Sequence, residues 1–321
     1  MGKKRVIIPA VIVLVLAGIA LGVVSFLSRA PVLIVEDRVF EAIYGPFRLK
    51  KNQVLHSLKL KRPIRIVRVE ENAGDDVAVF TVESAAENPY CVIFASRYYN
   101  AARRYNQEYP EIPIGVFQGR HQESGATGSG NFAVFATDQK LDLYRAGRLA
   151  ALLASAPPPP EGEDSPQEER PPAIIFFQDD YISTDLRDIF KKGLEDEDNQ
   201  SNPRYLFGSS QYPDRMAGDV VVIYGAAPDF LGEPENMPVI LFSWLDPALT
   251  PLKIKAVFDD SPLALAAKLV PLIIKAGNDE EINDEIKEVV EIPSEIQILS
   301  RRLAEKGLPK KMKGAGRAEL P

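Results

Sequence analysis

Short apolar runs alternate with longer amphipathic stretches along most of this chain, and that rhythm predicts its elements. Residues 173–177, AIIFF, are β-branched and aromatic and stop at polar residues, as a buried central strand does. Beyond them Leu186, Ile189, Phe190 and Gly193 recur at spacings of three and four, which is typical of one helix face. Strands that alternate with helices in this way predict βαβ units and a parallel sheet.

The same alternation of short apolar runs and amphipathic stretches extends from residue 31 to residue 302. Further strands are predicted at residues 32–35, 64–69, 91–95, 112–117, 131–136, 220–224, 239–244 and 254–258, and shorter apolar runs at 205–207, 289–292 and 296–299. Helices are predicted at residues 38–60 with a break near Gly45 and Pro46, and at 75–86, 97–108, 141–154 and 263–276. The fold class is therefore α/β.

The N-terminus carries a different pattern. Three basic residues at positions 3–5 precede residues 6–27, a run without charge that is long enough to span roughly 30 Å of hydrocarbon. Basic residues before such a run predict a cytoplasmic N-terminus and a single-pass inner-membrane protein with its bulk outside, in the periplasm. A cleaved signal peptide is the alternative, because residues 28–30 resemble a cleavage site, although Pro31 follows.

Two stretches have the composition of unfolded chain. Residues 156–172, APPPPEGEDSPQEERPP, are rich in proline and acidic residues, and residues 306–321 are basic and rich in glycine.

The formal net charge of −7 argues against general nucleic-acid binding. Cys91 is the only cysteine, so an intrachain disulfide and a cysteine-rich metal site are excluded.

Several segments resemble one known family in their order and spacing. Thr137 and Asp138, followed by Ala146 and Gly147, are similar to its "D…aG" helix; the later helix with Arg187, Phe190 and Gly193 is similar to its "R..f..G" pattern. Residues 291–301 resemble its closing segment. The family is that of the type I periplasmic-binding-protein fold, which includes sugar-binding receptors, the nucleoside-binding basic membrane lipoproteins and the effector domains of LacI-type repressors.

The resemblance implies two doubly wound parallel-sheet lobes, joined by three crossovers near Asp138, Phe258 and Ile292, with ligand in the cleft between them. It divides the chain into an anchor at 1–30, a first lobe at 31–138 plus 259–291 and a second lobe at 139–258. The second lobe would carry the proline-rich insertion, and residues 292–321 would form a closing segment and a tail.

In such a fold, ligand contacts come from loops after the strands. The candidate ligand-binding residues are Arg97, Tyr98, Arg120, Asp179, Tyr181, Arg187, Tyr224, Trp244 and Asp246. Aromatic rings stack on a sugar face or a base, while aspartate and arginine hydrogen-bond hydroxyl groups. The alternatives are a helix start for Arg97 and Tyr98, a helix cap for Asp179, and an ion pair with a neighbouring aspartate for Arg187.

Enzymatic signatures are weak. His56 and His121 are the only histidines, without the spacing of a zinc site, and no nucleophile elbow occurs. We therefore predict no catalytic residue, metal or cofactor. The predicted function is a membrane-anchored bacterial solute-binding protein for a sugar or nucleoside, with an ABC-type permease or a sensor as partner. The alternative is a scaffold that keeps the fold without a ligand.

Overall fold

A computed structural model describes residues 3–70, 73–120, 131–154, 172–178, 182–207, 219–224, 237–242, 254–278 and 289–299, with side chains from residue 15 onward. The helices are α1 Lys3–Leu27, α2 Arg38–Tyr44, α3 Pro46–Leu60, α4 Asp75–Ala85, α5 Tyr99–Glu108, α6 Gln139–Ala154, α7 Thr184–Glu195 and α8 Pro262–Asn278. The strands are β1 Val32–Asp37, β2 Ile64–Val69, β3 Cys91–Ala95, β4 Ile114–Phe117, β5 Phe132–Thr137, β6 Ile174–Gln178, β7 Arg204–Phe207, β8 Val220–Tyr224, β9 Val239–Phe242, β10 Ile254–Asp259, β11 Val290–Ile292 and β12 Glu295–Ile298.

The strands form two six-stranded sheets. The first has the order β11-β5-β4-β3-β1-β2 and is parallel throughout. The second has the order β12-β10-β9-β8-β6-β7 and is parallel except for β12, which pairs antiparallel with β10. Read from the edge strands β2 and β7, the first five strands of each sheet follow the doubly wound order 2-1-3-4-5. The predicted α/β class with two parallel-sheet lobes is confirmed.

Both faces of each sheet are covered, which explains the continuous apolar strands. In β1, Val32 and Ile34 face a core with residues of α2, α3 and α8, whereas Leu33 and Val35 face a core with residues of α4 and α5. In β6, Ile174 and Phe176 face a core with residues of α6 and α7, while alternate positions join a smaller cluster on the other face. We call the first sheet and its helices the first lobe, and the second sheet with α6 and α7 the second lobe.

Helices α6 and α7 approach closely at two glycines. A Cβ atom at Gly147 would overlap the carbonyl oxygen of Phe190, and one at Gly193 would overlap the carbonyl oxygen of Tyr144. Glycine is needed at both positions because the backbones meet there.

The chain passes between the sheets three times: at Asp138 between β5 and α6, at residues 260–261 between β10 and α8, and at residues 293–294 between β11 and β12. The Asp138 carboxylate accepts the Leu141 N–H at 3.0 Å and so caps α6. The first and third passages lie side by side, since the Asp138 N–H donates to the Ile292 carbonyl at 2.9 Å.

The predicted membrane-spanning run, residues 6–27, falls within α1, and part of it lies outside the residues whose side chains are described. Within the described part of the chain, no helix combines the length and apolarity that crossing a membrane requires. Residues 156–171 of the proline-rich insertion and the chain from residue 300 onward lie outside the described residues.

Candidate functional site

The carboxyl end of the second sheet carries a row of aromatic and amide side chains. The strand register places Gln178, Tyr224, Phe242 and Phe258 next to one another on β6, β8, β9 and β10. The ring centroids of Tyr224 and Phe242 lie 5.0 Å apart, and those of Phe242 and Phe258 are stacked at 4.4 Å. Ligands bind at this edge of an α/β sheet, so the row is a candidate for the second lobe's half of a site. The rings of Tyr224, Phe242 and Phe258 are also buried members of the core against α6 and α7.

Arg120, just after β4, reaches this row from the first lobe. Its guanidinium carbon lies 5.1 Å from the Tyr224 ring centroid and 5.3 Å from that of Phe242. Its Nε atom is 3.1 Å from an oxygen of Asp260, which follows β10, and the two side chains are only 11% and 10% exposed. The Nε–H is not aligned as a hydrogen bond, so the contact is chiefly an ion pair, reinforced by the rings. One buried cation thus joins the two lobes.

The backbone around Arg120 is held by β5 and the start of α6. The Thr137 N–H donates to the Gly119 carbonyl at 2.8 Å, and the Gln139 side-chain amide donates to the Arg120 carbonyl. Gly119 has φ +62°, a left-handed conformation that glycine adopts without strain. The position of Arg120 is therefore fixed beside the first passage between the lobes.

Arg97 and Tyr98 lie at the carboxyl end of β3. The Arg97 guanidinium pairs with the Asp37 carboxylate at the end of β1 and lies 5.3 Å from the Tyr98 ring centroid. The Asp37 side chain also caps α2 by accepting the Phe40 N–H at 2.7 Å. Tyr98 is only 3% exposed and packs in the first-lobe core, and burial raises its pKa to about 12. Arg97, by contrast, is accessible to a ligand, with 39% of its side chain exposed.

The remaining candidates separate into two groups. Arg187 lies on α7 with its guanidinium 4.7 Å from the ring centroid of Tyr205 in β7, whose hydroxyl donates to the Arg187 carbonyl at 3.3 Å. It is thus placed beside an edge strand of the second sheet. Asp179, Tyr181, Trp244 and Asp246 lie outside the described residues. The structure therefore brings together Arg120 with Tyr224, and Arg97 with Tyr98.

Further buried polar groups lie at the same edges, and of these Gln178 and Glu36 were not predicted from the sequence as ligand contacts. Gln118, at 3% exposure, has no hydrogen-bond partner for either amide atom, and Gln178, at 4%, has none for its Oε1 atom. Burial raises the pKa of Glu36 to about 8, with the neighbouring Asp37 adding to the shift and Arg97 opposing it. A polar residue that closes an apolar strand, as in IIFFQ, is the sequence signal for such positions.

Two further carboxylates hold the passages between the lobes. Asp259, with no exposure, accepts Arg48 Nη2 at 2.6 Å, the Tyr44 hydroxyl at 2.9 Å and the Ser261 hydroxyl at 2.7 Å. Burial raises its pKa, and Arg48 opposes the shift. Asp142 of α6 accepts the Ser294 N–H at 3.1 Å, and burial raises its pKa to about 7 although the Ser294 hydrogen bonds oppose this.

Taken together, the facing edges carry a guanidinium, carboxylates, amides and flat rings, which can hydrogen-bond hydroxyl groups and stack on a ring. Among the described residues, no group of three His, Cys, Asp or Glu side chains could hold a metal ion.

No protein-family model and no curated protein matches this sequence. Solved structures of similar fold include a solute-binding protein of Actinobacillus succinogenes with bound D-allose, 12% identical, with 87% of this chain and 100% of that one covered at a TM-score of 0.48. A LacI-type regulator from a Rhodococcus species is 12% identical over 84% and 96% of the chains, with a TM-score of 0.48. A glucose-galactose binding protein from Geobacillus stearothermophilus is 12% identical over 86% and 98%, with a TM-score of 0.43.

Proposed function

We propose that this chain, which has the two-lobed fold of type I periplasmic-binding proteins, binds a small polar ligand, a sugar or a nucleoside, between its lobes. The observation that carries the proposal is the meeting of Arg120 with Asp260, Tyr224 and Phe242 across the two sheets. Cation, carboxylate and rings converge at the carboxyl edges, where open α/β sheets place their ligands.

The unsatisfied groups at these edges support a ligand rich in hydrogen-bonding atoms. A buried amide without a partner costs roughly 1–3 kcal/mol, and hydroxyl groups of a ligand would relieve that cost at Gln118 and Gln178. Arg97 adds a charged donor at the first lobe's edge. Asp179, Tyr181, Trp244 and Asp246 complete the proposed site as ligand contacts from the second lobe, with Arg187 at its margin.

The proposed division of the chain follows the three passages between sheets. Residues 31–138 and 259–291 are proposed as one lobe and 139–258 as the other, with residues 292–321 as a closing segment and tail whose strand β12 joins the second sheet. Opening about the passages admits the ligand. We further propose that residues 1–30 anchor the protein in the inner membrane with both lobes in the periplasm. The basic residues at positions 3–5 and the uncharged run after them support this, as do the exposed apolar side chains of α1, such as Leu21 at 71% and Val24 at 64%. An ABC-type permease or a sensor would receive the ligand.

A second candidate function is a scaffold that keeps the fold without a ligand. It is favoured by the fact that Arg120 already has an ion-pair partner in Asp260 and two rings beside it. In that case the same ion pair holds the two lobes together permanently.

A thermal-shift screen of the full-length chain in mild detergent, against panels of sugars and nucleosides, separates the two. The binding function predicts a rise in melting temperature with at least one compound, and loss of that rise in an Arg97→Ala variant. No shift with either panel would favour the scaffold.

A further inference from the structure

Helix α3 of the first lobe exposes an apolar face. Four large apolar side chains are open to solvent there: Phe47 at 80%, Val54 at 58%, Leu55 at 43% and Leu58 at 64%. They recur at spacings of one, three and seven, on the side of α3 opposite to its buried residues, such as Leu49 and His56. Exposed apolar side chains gathered in this way, rather than scattered singly, mark an interaction surface.

The same side of α3 is basic. Lys50, Lys51 and Lys59 are exposed between and beside the apolar residues, and α3 contains no aspartate or glutamate. This contrasts with the whole chain, whose formal net charge is −7. A helix that presents lysines together with large apolar side chains has the composition of a helix that lies in a membrane interface. We call these seven residues the α3 face: Phe47, Lys50, Lys51, Val54, Leu55, Leu58 and Lys59.

The end of α3 is tied to the segment that leaves α1. The Arg29 guanidinium, two residues past the end of α1, donates to the Lys61 carbonyl at 2.8 Å, and Arg62 donates to the Ala30 carbonyl at 3.4 Å. The last turn of α3, with Leu58 and Lys59, is therefore adjacent to the point where the N-terminal helix enters the first lobe.

We propose that the α3 face rests on the surface of an acidic lipid bilayer, with its apolar side chains among the headgroups and its lysines beside lipid phosphates. The proposal rests on the proposed membrane anchor and adds to it the orientation of the first lobe. Self-association through this face is disfavoured, because two copies would bring their lysines together. Acidic headgroups supply the complementary charge.

Helix α4, which covers the opposite face of the first sheet, provides a matched contrast. It also exposes large apolar side chains, Val77 at 49% and Phe80 at 68%, but Asp75 and Asp76 lie beside them. Carboxylates repel an acidic surface, so α4 should remain in water while α3 docks.

The test places an environment-sensitive fluorophore on Leu58→Cys or, as the control, on Phe80→Cys in the full-length chain. Cys91 is fully buried and its pKa is raised to about 12, so the native thiol reacts little. Each labelled protein is reconstituted into neutral phosphatidylcholine vesicles and into vesicles with phosphatidylglycerol. Flotation reports the anchor, while emission and quenching by lipid-borne nitroxides report the face.

We expect a blue shift and quenching at Leu58 on acidic vesicles only, and neither at Phe80. Lys50→Gln, Lys51→Gln and Lys59→Gln should each weaken docking about fivefold, since a lysine near an acidic surface contributes roughly 1 kcal/mol and 1.4 kcal/mol is a factor of ten. Acidic vesicles that carry the protein with a water-like Leu58 signal would overturn the proposal and leave the anchor standing, as would equal signals at Leu58 and Phe80 on those vesicles. A protein that does not float with neutral vesicles would refute the anchor. The Leu58 signal on acidic vesicles would then still show whether the α3 face docks.

Discussion

Replacing Arg120 with methionine tests the ion pair with Asp260, one of the contacts that join the lobes. Methionine keeps much of the side-chain volume but removes the cation that lies 3.1 Å from Asp260 and near the Tyr224 and Phe242 rings. With the lobes together, Asp260 would then be a buried carboxylate without its partner. Removing one member of a buried pair costs about 3–5 kcal/mol, and lost cation–π contact adds about 0.5–2 kcal/mol.

Separation of the lobes relieves this cost, because Asp260 then regains water. The two terms together are about 3.5–7 kcal/mol, so the variant should shift the equilibrium from joined to separated lobes by between about 300-fold and about 100,000-fold, as 1.4 kcal/mol is a factor of ten. Spin labels on the exposed α5 residue Arg103 and the α7 residue Lys191 place one probe on each lobe. Double electron–electron resonance should give a longer and broader distance distribution for Arg120→Met than for the wild type.

Two controls isolate the ion pair. Arg104→Met removes a surface partner of Asp76, where the side chains are 50% and 80% exposed, and should change stability by about 0–1 kcal/mol without moving the lobes. Adding Asp260→Asn to Arg120→Met should restore most of the joined state, because the unpaired charge is gone. An unchanged distance distribution in Arg120→Met would refute the role given to Arg120.

Three further predictions concern the framework of the site. Gly193→Ala forces α6 and α7 apart and should lower the free energy of unfolding by about 1–3 kcal/mol in urea titration, whereas Gly74→Ala, which meets no neighbouring atom, should cost under about 1 kcal/mol. Asp259→Ala deprives the buried Arg48 of its carboxylate and should cost about 3–5 kcal/mol in the same titration; a loss below about 1 kcal/mol would contradict the pairing. The pKa of Asp142 is raised from 3.8 to about 7. Its contribution to the free energy of unfolding is therefore fully present below pH 3.8 and is lost as pH rises through about 7. The urea midpoint of the wild type should therefore fall over this pH range, and Asp142→Asn should reduce that fall. An unchanged pH profile in the variant would count against the raised pKa of Asp142.

Much of the secondary structure could be read from local patterns. The break predicted near Gly45 and Pro46 occurs because Gly45 has φ +88° and Pro46 begins α3, where a missing N–H costs nothing. Several boundaries differed by one or two residues; for example, the strand predicted from residue 112 begins at Ile114. The Ile112 N–H is used in a turn to the Tyr109 carbonyl, and Pro113 has no N–H to donate to a neighbouring strand.

Local sequence patterns could not predict the antiparallel strand β12 or the ion pair between Arg120 and Asp260. Apolar runs divided by Pro293 do not reveal that β12 joins the second sheet against β10 in the opposite direction. Arg120 and Asp260 are 140 positions apart, and only the packing of both sheets brings them together. Residues Arg97, Tyr98 and Tyr224 could be named because they directly follow or end predicted strands, but the burial of Tyr98 in the core depends on the helix packed over it.

Isothermal titration of the full-length chain with sugars and nucleosides tests the central proposal most directly. We predict saturable binding of at least one compound, with one ligand per chain and a lower affinity when Arg97 is replaced by alanine. The absence of binding heat from both panels, with a correctly folded protein, would contradict it.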